Sequence, residues 1–239
     1  MLPPSLLPPY VTISAPRSPL SDPFKLTWVH REIFRDEFQL LLSSSPSSLL
    51  SSAFLYVEDD ISVPWPTFSS WHASADYLFS AHSLVSSFYR LDGPGVSEGM
   101  LTDQFGACRD LREKVESSNT ITETGAGTFA QLWNPYAASY ALTGAQLRYF
   151  LSTPDYDLSG ASNPLSLEVR ELAASGLQFA AAVRERAGPA FGRSAAVVPW
   201  DARGGEVGPG GGVVHLDVSE AAPNWCYVVG QALKEQAEL

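Results

Sequence analysis

A chain of 239 residues, 45% hydrophobic and 17% charged, has the composition of an ordinary globular protein and can bury a sizeable core. Its formal net charge of -11 excludes nucleic acid as the main partner, because phosphate binding needs a basic surface, and argues against an anionic membrane surface. A nucleotide remains compatible, since a bound metal offsets phosphate charge locally.

Residues 1–21 form a Pro/Ser-rich N-terminal segment with one strand-like piece at 10–13. The start lacks a basic region and is broken by proline, so no signal peptide or membrane anchor is expected in it. No apolar run is long enough to span a bilayer. The compartment stays open: a secretory or membrane-associated location is compatible with a further N-terminal segment preceding this chain. Asp22-Pro23 is a helix-start signal, an acid followed by proline at the first helical position. Leu26, Val29, Ile33, Phe34, Phe38 and Leu41 continue it at helical spacing. The serine-rich stretch 43–52 reads as a loop. Residues 53–57 are a continuous apolar run, consistent with a buried strand, and the run ends in three acids, Glu58, Asp59 and Asp60.

Pro64 and Pro66 interrupt the chain. A second amphipathic helix is expected after them, with Phe68, Trp71, Ala75, Leu78, Phe79, His82, Val85 and Phe88 on one broad face. Residues 92–127 read as a long polar excursion. Apolar residues 136–142 precede a helix over about 144–151, and another helix is expected over about 167–179. Residues 204–212 read as a glycine-rich loop, 213–216 as a final strand, and the tail from Val228 as a polar helix. Strands alternating with helices predict an α/β sandwich with a mostly parallel central sheet, whose ligands gather at the carboxyl ends of the strands. Cys108 and Cys226 are too far apart for a zinc motif and too few for a disulfide framework.

Three adjacent carboxylates after a strand repel one another unless a cation or hydrogen bonds compensate. Carboxylate oxygens suit Mg²⁺ or Mn²⁺. The plain alternative is a solvated acidic turn.

The surroundings of that turn resemble glycosyltransferases of the GT-A fold, in the group where a "YxEDDI" strand end is followed by a tryptophan-bearing helix. The residues that carry the resemblance are Tyr56-Val57-Glu58-Asp59-Asp60-Ile61 with Pro64-Trp65, Phe68 and Trp71. Upstream lies Leu26-Thr27-Trp28-Val29-His30-Arg31. Downstream lie Asn134-Pro135-Tyr136, then Arg170-Glu171-Leu172-Ala173-Ala174-Ser175-Gly176-Leu177, Val197-Val198-Pro199 and Val214-His215-Leu216. The resemblance runs from about residue 22 to about residue 227.

It implies a partial GT-A-like catalytic domain over 22–239, a three-layer sandwich whose N-terminal nucleotide-binding part is truncated or divergent. It implies a transferase that moves a sugar from a nucleotide-diphospho-sugar donor to a glycan, protein or lipid acceptor, with Mn²⁺ or Mg²⁺ as cofactor. Asp60 and His215 are the implied metal ligands. Glu58, Asp59, Asn134 and Arg170 are implied at the donor. Glu171 is the first candidate for the catalytic base and Glu168 the second. Trp65 and Trp71 could stack on a sugar or base, with core packing the favoured reading. His30, His72 and His82 read as structural. Two other classes stay open: an inactive GT-A-like scaffold serving as an interaction module, and a hydrolase using paired carboxylates.

Overall fold

The first turn of the first described helix already shows what sequence periodicity leaves open, because a charged residue, Arg31, points inward beside Phe34 and Phe38. In the computed structural model, the described residues are 28–58, 61–92, 100–101, 121–132, 137–167, 169–192, 194–201, 206–207 and 212–215. The Asp22-Pro23 helix start, the strand-like piece at 10–13 and the tail from Val228 lie outside them.

Helix α1 spans Val29–Ser44. Of the apolar residues expected on its face, Phe34 and Phe38 are core, whereas Ile33 is 38% exposed. The serine-rich stretch 43–52 is not a plain loop. Ser43 and Ser44 hydroxyls donate back to the Leu40 carbonyl at 2.9 and 2.7 Å, and a short helix α2 follows at Pro46–Leu50. Proline suits its first turn, where a backbone N–H would lack a helical partner, and the serine hydroxyls satisfy carbonyls rather than compete with the helix.

Strand β1 is Ala53–Val57 and β2 is Ile61–Ser62. Helix α3, Trp65–His82, begins after Pro64 and ends where Ser83 turns left-handed at φ 58°. There Ser83 N–H donates to Phe79 O and Leu84 N–H to Leu78 O, both at 3.1 Å, closing the helix end. Val85 and Phe88, expected on the helix face, are buried after this turn, Val85 in β3 (Val85–Ser86).

Further along come β4 (Tyr89–Asp92), β5 (Met100–Leu101), β6 (Ile121–Thr124), β7 (Gly127–Gln131) and β8 (Ser139–Thr143). The stretch 92–127 therefore carries strands at both ends rather than one polar excursion. Helix α4 covers Gly144–Leu151, started by a reciprocal pair of bonds between Thr143 and Gln146. A 3-10 turn at Pro154–Tyr156 precedes α5, Val169–Ala173. The single helix expected over 167–179 is split: α5 stops, Gly176 takes φ 63°, and a 3-10 turn runs Gly176–Phe179. Helix α6 (Ala181–Ala187), β9 (Ala196–Asp201), β10 (Glu206–Val207) and β11 (Gly212–His215) complete the described chain. Strand β10 falls inside the expected glycine-rich loop.

The strands form three sets: β1 with β8; β10-β9-β7-β6 with β3 on β9; and β2-β11-β4-β5. The fold is mixed helix and sheet, as expected. The mostly parallel sheet is corrected: among the described residues only β3/β9 and β4/β11 pair in parallel, while β1/β8, β2/β11, β4/β5, β6/β7, β7/β9 and β9/β10 pair antiparallel. The reason shows in β1. Its apolar run looked buried on both faces, but Phe54 is buried while Leu55 is 37% and Val57 41% exposed. An antiparallel pair tolerates one solvated face, which an all-parallel sheet does not.

Two clusters sit on either side of the β1/β8 ladder. Phe34, Phe38, Phe54, Tyr140, Leu142, Leu147 and Phe150 fill one. Ile61, Trp71, Ala75, Phe88, Ala137, Ala138 and Ala141 fill the other, under α3. Among the described residues no helix is long and apolar enough to cross a membrane.

Candidate functional site

The end of β1 is held from both directions. Glu58 N–H donates to Ala138 O at 3.0 Å, and Ile61 N–H donates back to Glu58 O at 3.1 Å. The Glu58 carboxylate, half-buried, accepts from the Tyr56 hydroxyl through Oε1 at 3.3 Å. Asp59 and Asp60 lie outside the described residues. The chain that follows them is nevertheless located, because β2 pairs antiparallel with β11 and sets His215 opposite Ile61. On its other edge β11 pairs in parallel with β4, which sets His215 opposite Asp92. Ile61, His215 and Asp92 thus occupy one cross-strand row directly after the acidic run. The Asp92 position was not singled out from sequence, where it opened an apparent excursion.

Tyr56 is itself supported by an aromatic cluster. In the β1/β8 register Tyr56 lies opposite Tyr140. The His30 ring lies 4.1 Å from the Tyr56 ring, centroid to centroid, and its Nε2 is hydrogen-bonded to the Tyr140 hydroxyl at 2.7 Å. Burial pushes the Tyr140 phenol up to about 12, against the opposing pull of the nearby Arg31 guanidinium. The hydroxyl therefore stays protonated at neutral pH and remains available to His30. His30, read from sequence as a structural helix residue, sits inside this cluster; one histidine on a half-polar helix face carries no signal of it.

The same first turn of α1 holds α5. The Arg31 guanidinium is buried over the Trp28 ring, 3.9 Å from its centroid. Its Nη1 donates to Asp155 O at 3.0 Å and Tyr156 O at 2.9 Å. Its Nη2 donates to Leu172 O at 3.4 Å and Ala173 O at 3.3 Å, the last carbonyls of α5. A cation there also complements the negative end of the helix dipole. Burial lowers the Arg31 pKa, with Tyr140, Tyr156 and Asp157 opposing. Trp28 Nε1 adds a bond to Val169 O at 3.3 Å.

Glu171, in the first turn of α5, is partly buried, and its carbonyl accepts from the Ser175 hydroxyl at 2.7 Å. Five residues on, Gly176 packs so closely that a Cβ there would stand 2.8 Å from the Tyr140 ring. The acidic strand end and the Glu171 helix are thus braced by one turn, residues 28, 30 and 31.

The remaining sequence-derived site residues divide simply. Arg170 lies on α5 and His215 on β11. Glu168 and Asn134 lie outside the described residues, as do Cys108 and Cys226. Trp71 is 2% exposed and belongs to the core, whereas Trp65 is 74% exposed. His72 is exposed beside Phe68, and His82 faces the Tyr77 hydroxyl at 3.4 Å. Among the described residues no group of three or more His, Cys, Asp or Glu stands ready to hold a metal. A separate open groove of about 240 Å³ lies between α1 and the 154–158 turn, but neither Glu58 nor Glu171 lines it.

No family model, no curated protein and no solved structure matches this chain.

Proposed function

We propose that the chain is the catalytic part of a metal-dependent glycosyltransferase using a nucleotide-diphospho-sugar donor. The observation that carries the reading is the pairing of β2 with β11, which sets His215 opposite Ile61 immediately after the acidic run Glu58-Asp59-Asp60. Carboxylate oxygens with one imidazole nitrogen are the ligand types that suit a divalent cation such as Mn²⁺, with Mg²⁺ taking the oxygens alone. Asp60 and His215 would hold it, with Glu58 and Asp59 beside the donor. When bound, such a cation takes up charge on the departing diphosphate.

The chain's own residues do the rest. Tyr56 donates to Glu58 and orients one carboxylate oxygen, while the 58–61 backbone bonds keep the strand end in place. Glu171, with Glu168 as the second candidate, accepts the proton of the acceptor hydroxyl as it attacks the anomeric carbon. Arg31 and Trp28 keep the Glu171 helix anchored to the same turn that supports Tyr56. Asn134 and Arg170 would meet the donor's polar groups.

Calorimetric titration with Mn²⁺ and a panel of nucleoside diphosphates tests this. Wild type is expected to bind a nucleotide only with the metal, and Asp60→Ala to lose more than about tenfold in affinity. Glu171→Gln should keep binding and lose donor turnover. Equal affinity in wild type and Asp60→Ala, or no nucleotide binding by either, refutes the reading in favour of an inactive scaffold.

A further inference from the structure

We infer that Asp92 is a positioning residue for His215 in the proposed cation site; the inference rests on the reading above for what that site serves. The Asp92 carboxylate accepts the proton of one ring nitrogen of His215, which fixes the imidazole and leaves its other nitrogen for the metal.

The register brings the two residues together and gives neither another polar neighbour in their row. Strand β11 is paired on both edges, antiparallel with β2 and parallel with β4. Strand β5 continues the set on the far edge of β4 and sets Met100 opposite Asp92. The row across these strands therefore reads Ile61, His215, Asp92, Met100. Residues opposite one another on neighbouring strands share a face, and the strands lie about 4.8 Å apart. Isoleucine has no polar side-chain atom and methionine offers only a weak acceptor, so the one strong donor–acceptor couple in the row is His215 with Asp92. Ile61 is buried in the cluster that holds Trp71 and Ala138, which gives the row an apolar flank. A hydrogen bond to a charged group is stronger beside such a flank than in water.

Both residues also stand where a ligand is expected. Strands β4 and β11 run parallel and end together, Asp92 closing one and His215 the other. Ligands of α/β sheets gather beyond such carboxyl ends. The acidic run lies at the carboxyl end of β1 and leads into Ile61, the residue on the other side of His215. The second parallel pair among the described residues, β3 with β9, carries neither carboxylate nor imidazole at its paired positions Val85, Ser86, Ala196 and Val197.

An imidazole binds a cation through one nitrogen when its proton sits on the other. A carboxylate that accepts this proton sets the tautomer and the ring orientation, and makes the ligating nitrogen more basic. The rival partner for Asp92 is Arg90, two positions back on the same face and opposite Val213. An ion pair with Arg90 alone would make Asp92 structural, and His215 would gain nothing from it.

Manganese binding by the full chain tests this, read from the loss of the free Mn²⁺ signal in electron paramagnetic resonance, with the metal alone and with uridine diphosphate. Asp92→Ala should weaken Mn²⁺ binding about ten- to a hundredfold. Asp92→Asn, which keeps the shape and a neutral acceptor, should lose about three- to tenfold and carries the test if the alanine variant melts early. In a His215→Ala background Asp92→Ala should change the affinity by less than about twofold, because a residue acting through His215 then has nothing to act on. Arg90→Met should leave the affinity unchanged. Wild-type affinity in both Asp92 variants, losses that add to that of His215→Ala, or an equal loss in Arg90→Met overturns the inference. Loss in Asp60→Ala with wild-type affinity in the Asp92 variants overturns it and leaves the transferase reading standing. A His215-dependent loss in the Asp92 variants with wild-type affinity in Asp60→Ala sustains the pair and refutes that reading. No Mn²⁺ binding by wild type overturns both.

Discussion

Replacing Arg31 by methionine removes a side chain that ties α1, the 3-10 turn and the end of α5 together. Methionine fills most of the stem volume, so the loss falls on polar contacts rather than on a cavity. Two carbonyls, Asp155 O and Tyr156 O, lose donors at 3.0 and 2.9 Å, while Leu172 O and Ala173 O lose longer bonds at 3.4 and 3.3 Å. A hydrogen bond to a charged group contributes about 1.5–3 kcal/mol net, and a buried acceptor left unpaired costs about 1–3 kcal/mol. Against this, the variant no longer buries a charge, and Arg31 Nε, which has no partner among the described residues, disappears as well. The expected balance is a loss of about 2–4 kcal/mol. Arg31→Lys, whose single ammonium cannot serve both pairs of carbonyls, should lose about 1–2 kcal/mol. Equilibrium urea unfolding followed by tryptophan fluorescence measures both. Amide exchange over 172–177 should accelerate more than the global change requires, because those residues lose their anchor. A loss below about 1 kcal/mol for Arg31→Met, or wild-type stability for Arg31→Lys, would refute the bracing role.

Stability should also fall at alkaline pH. Burial raises the phenols of Tyr140 and Tyr89 from 10.0 to about 12, so the unfolded chain ionises first, and stability intact below pH 10 is lost as pH rises to about 12. The loss amounts to about 2–3 kcal/mol for one such tyrosine; Tyr140→Phe should flatten the pH profile of urea midpoints and cost about 1 kcal/mol at neutral pH through the lost bond to His30. Gly176→Ala should destabilise by about 2–4 kcal/mol, because residue 176 has φ 63° and an added Cβ would stand 2.8 Å from both the Tyr140 ring and Gln178 Oε1. A thermal melt matching wild type would contradict that packing.

Local signals were legible where neighbours in sequence supply the whole cause. The apolar run of β1 ends at Val57, as expected, because three acids cannot continue it. Helix α4 covers Gly144–Leu151 because Thr143 and Gln146 cap each other within four residues. The broken α5 was less legible. Its helical pattern continues through Gly176, and only the packed structure shows the left-handed backbone there and the Tyr140 ring standing where a Cβ would be. At the candidate site, Glu58 stood out as an acid after an apolar run, and Tyr56 and Glu171 entered only through the resemblance, whereas His30 read as structural and Tyr140 as one residue of an apolar segment.

The sequence by itself determined the mixed helix-and-sheet class and the end of β1, which follow from composition, from periodicities of 3.6 and 2, and from residue order. The resemblance that motivates a sugar-nucleotide reading rests on its matched motifs alone. Tertiary structure decided the rest. Strand direction is a matter of partners, so the preference for antiparallel pairing appears only when β1 meets β8 and β2 meets β11. The row of Ile61, His215 and Asp92 joins positions far apart in the chain, and no local pattern can set that register. The burial of Arg31 likewise depends on carbonyls more than a hundred residues away, whose need for a donor exists only once the helices have packed.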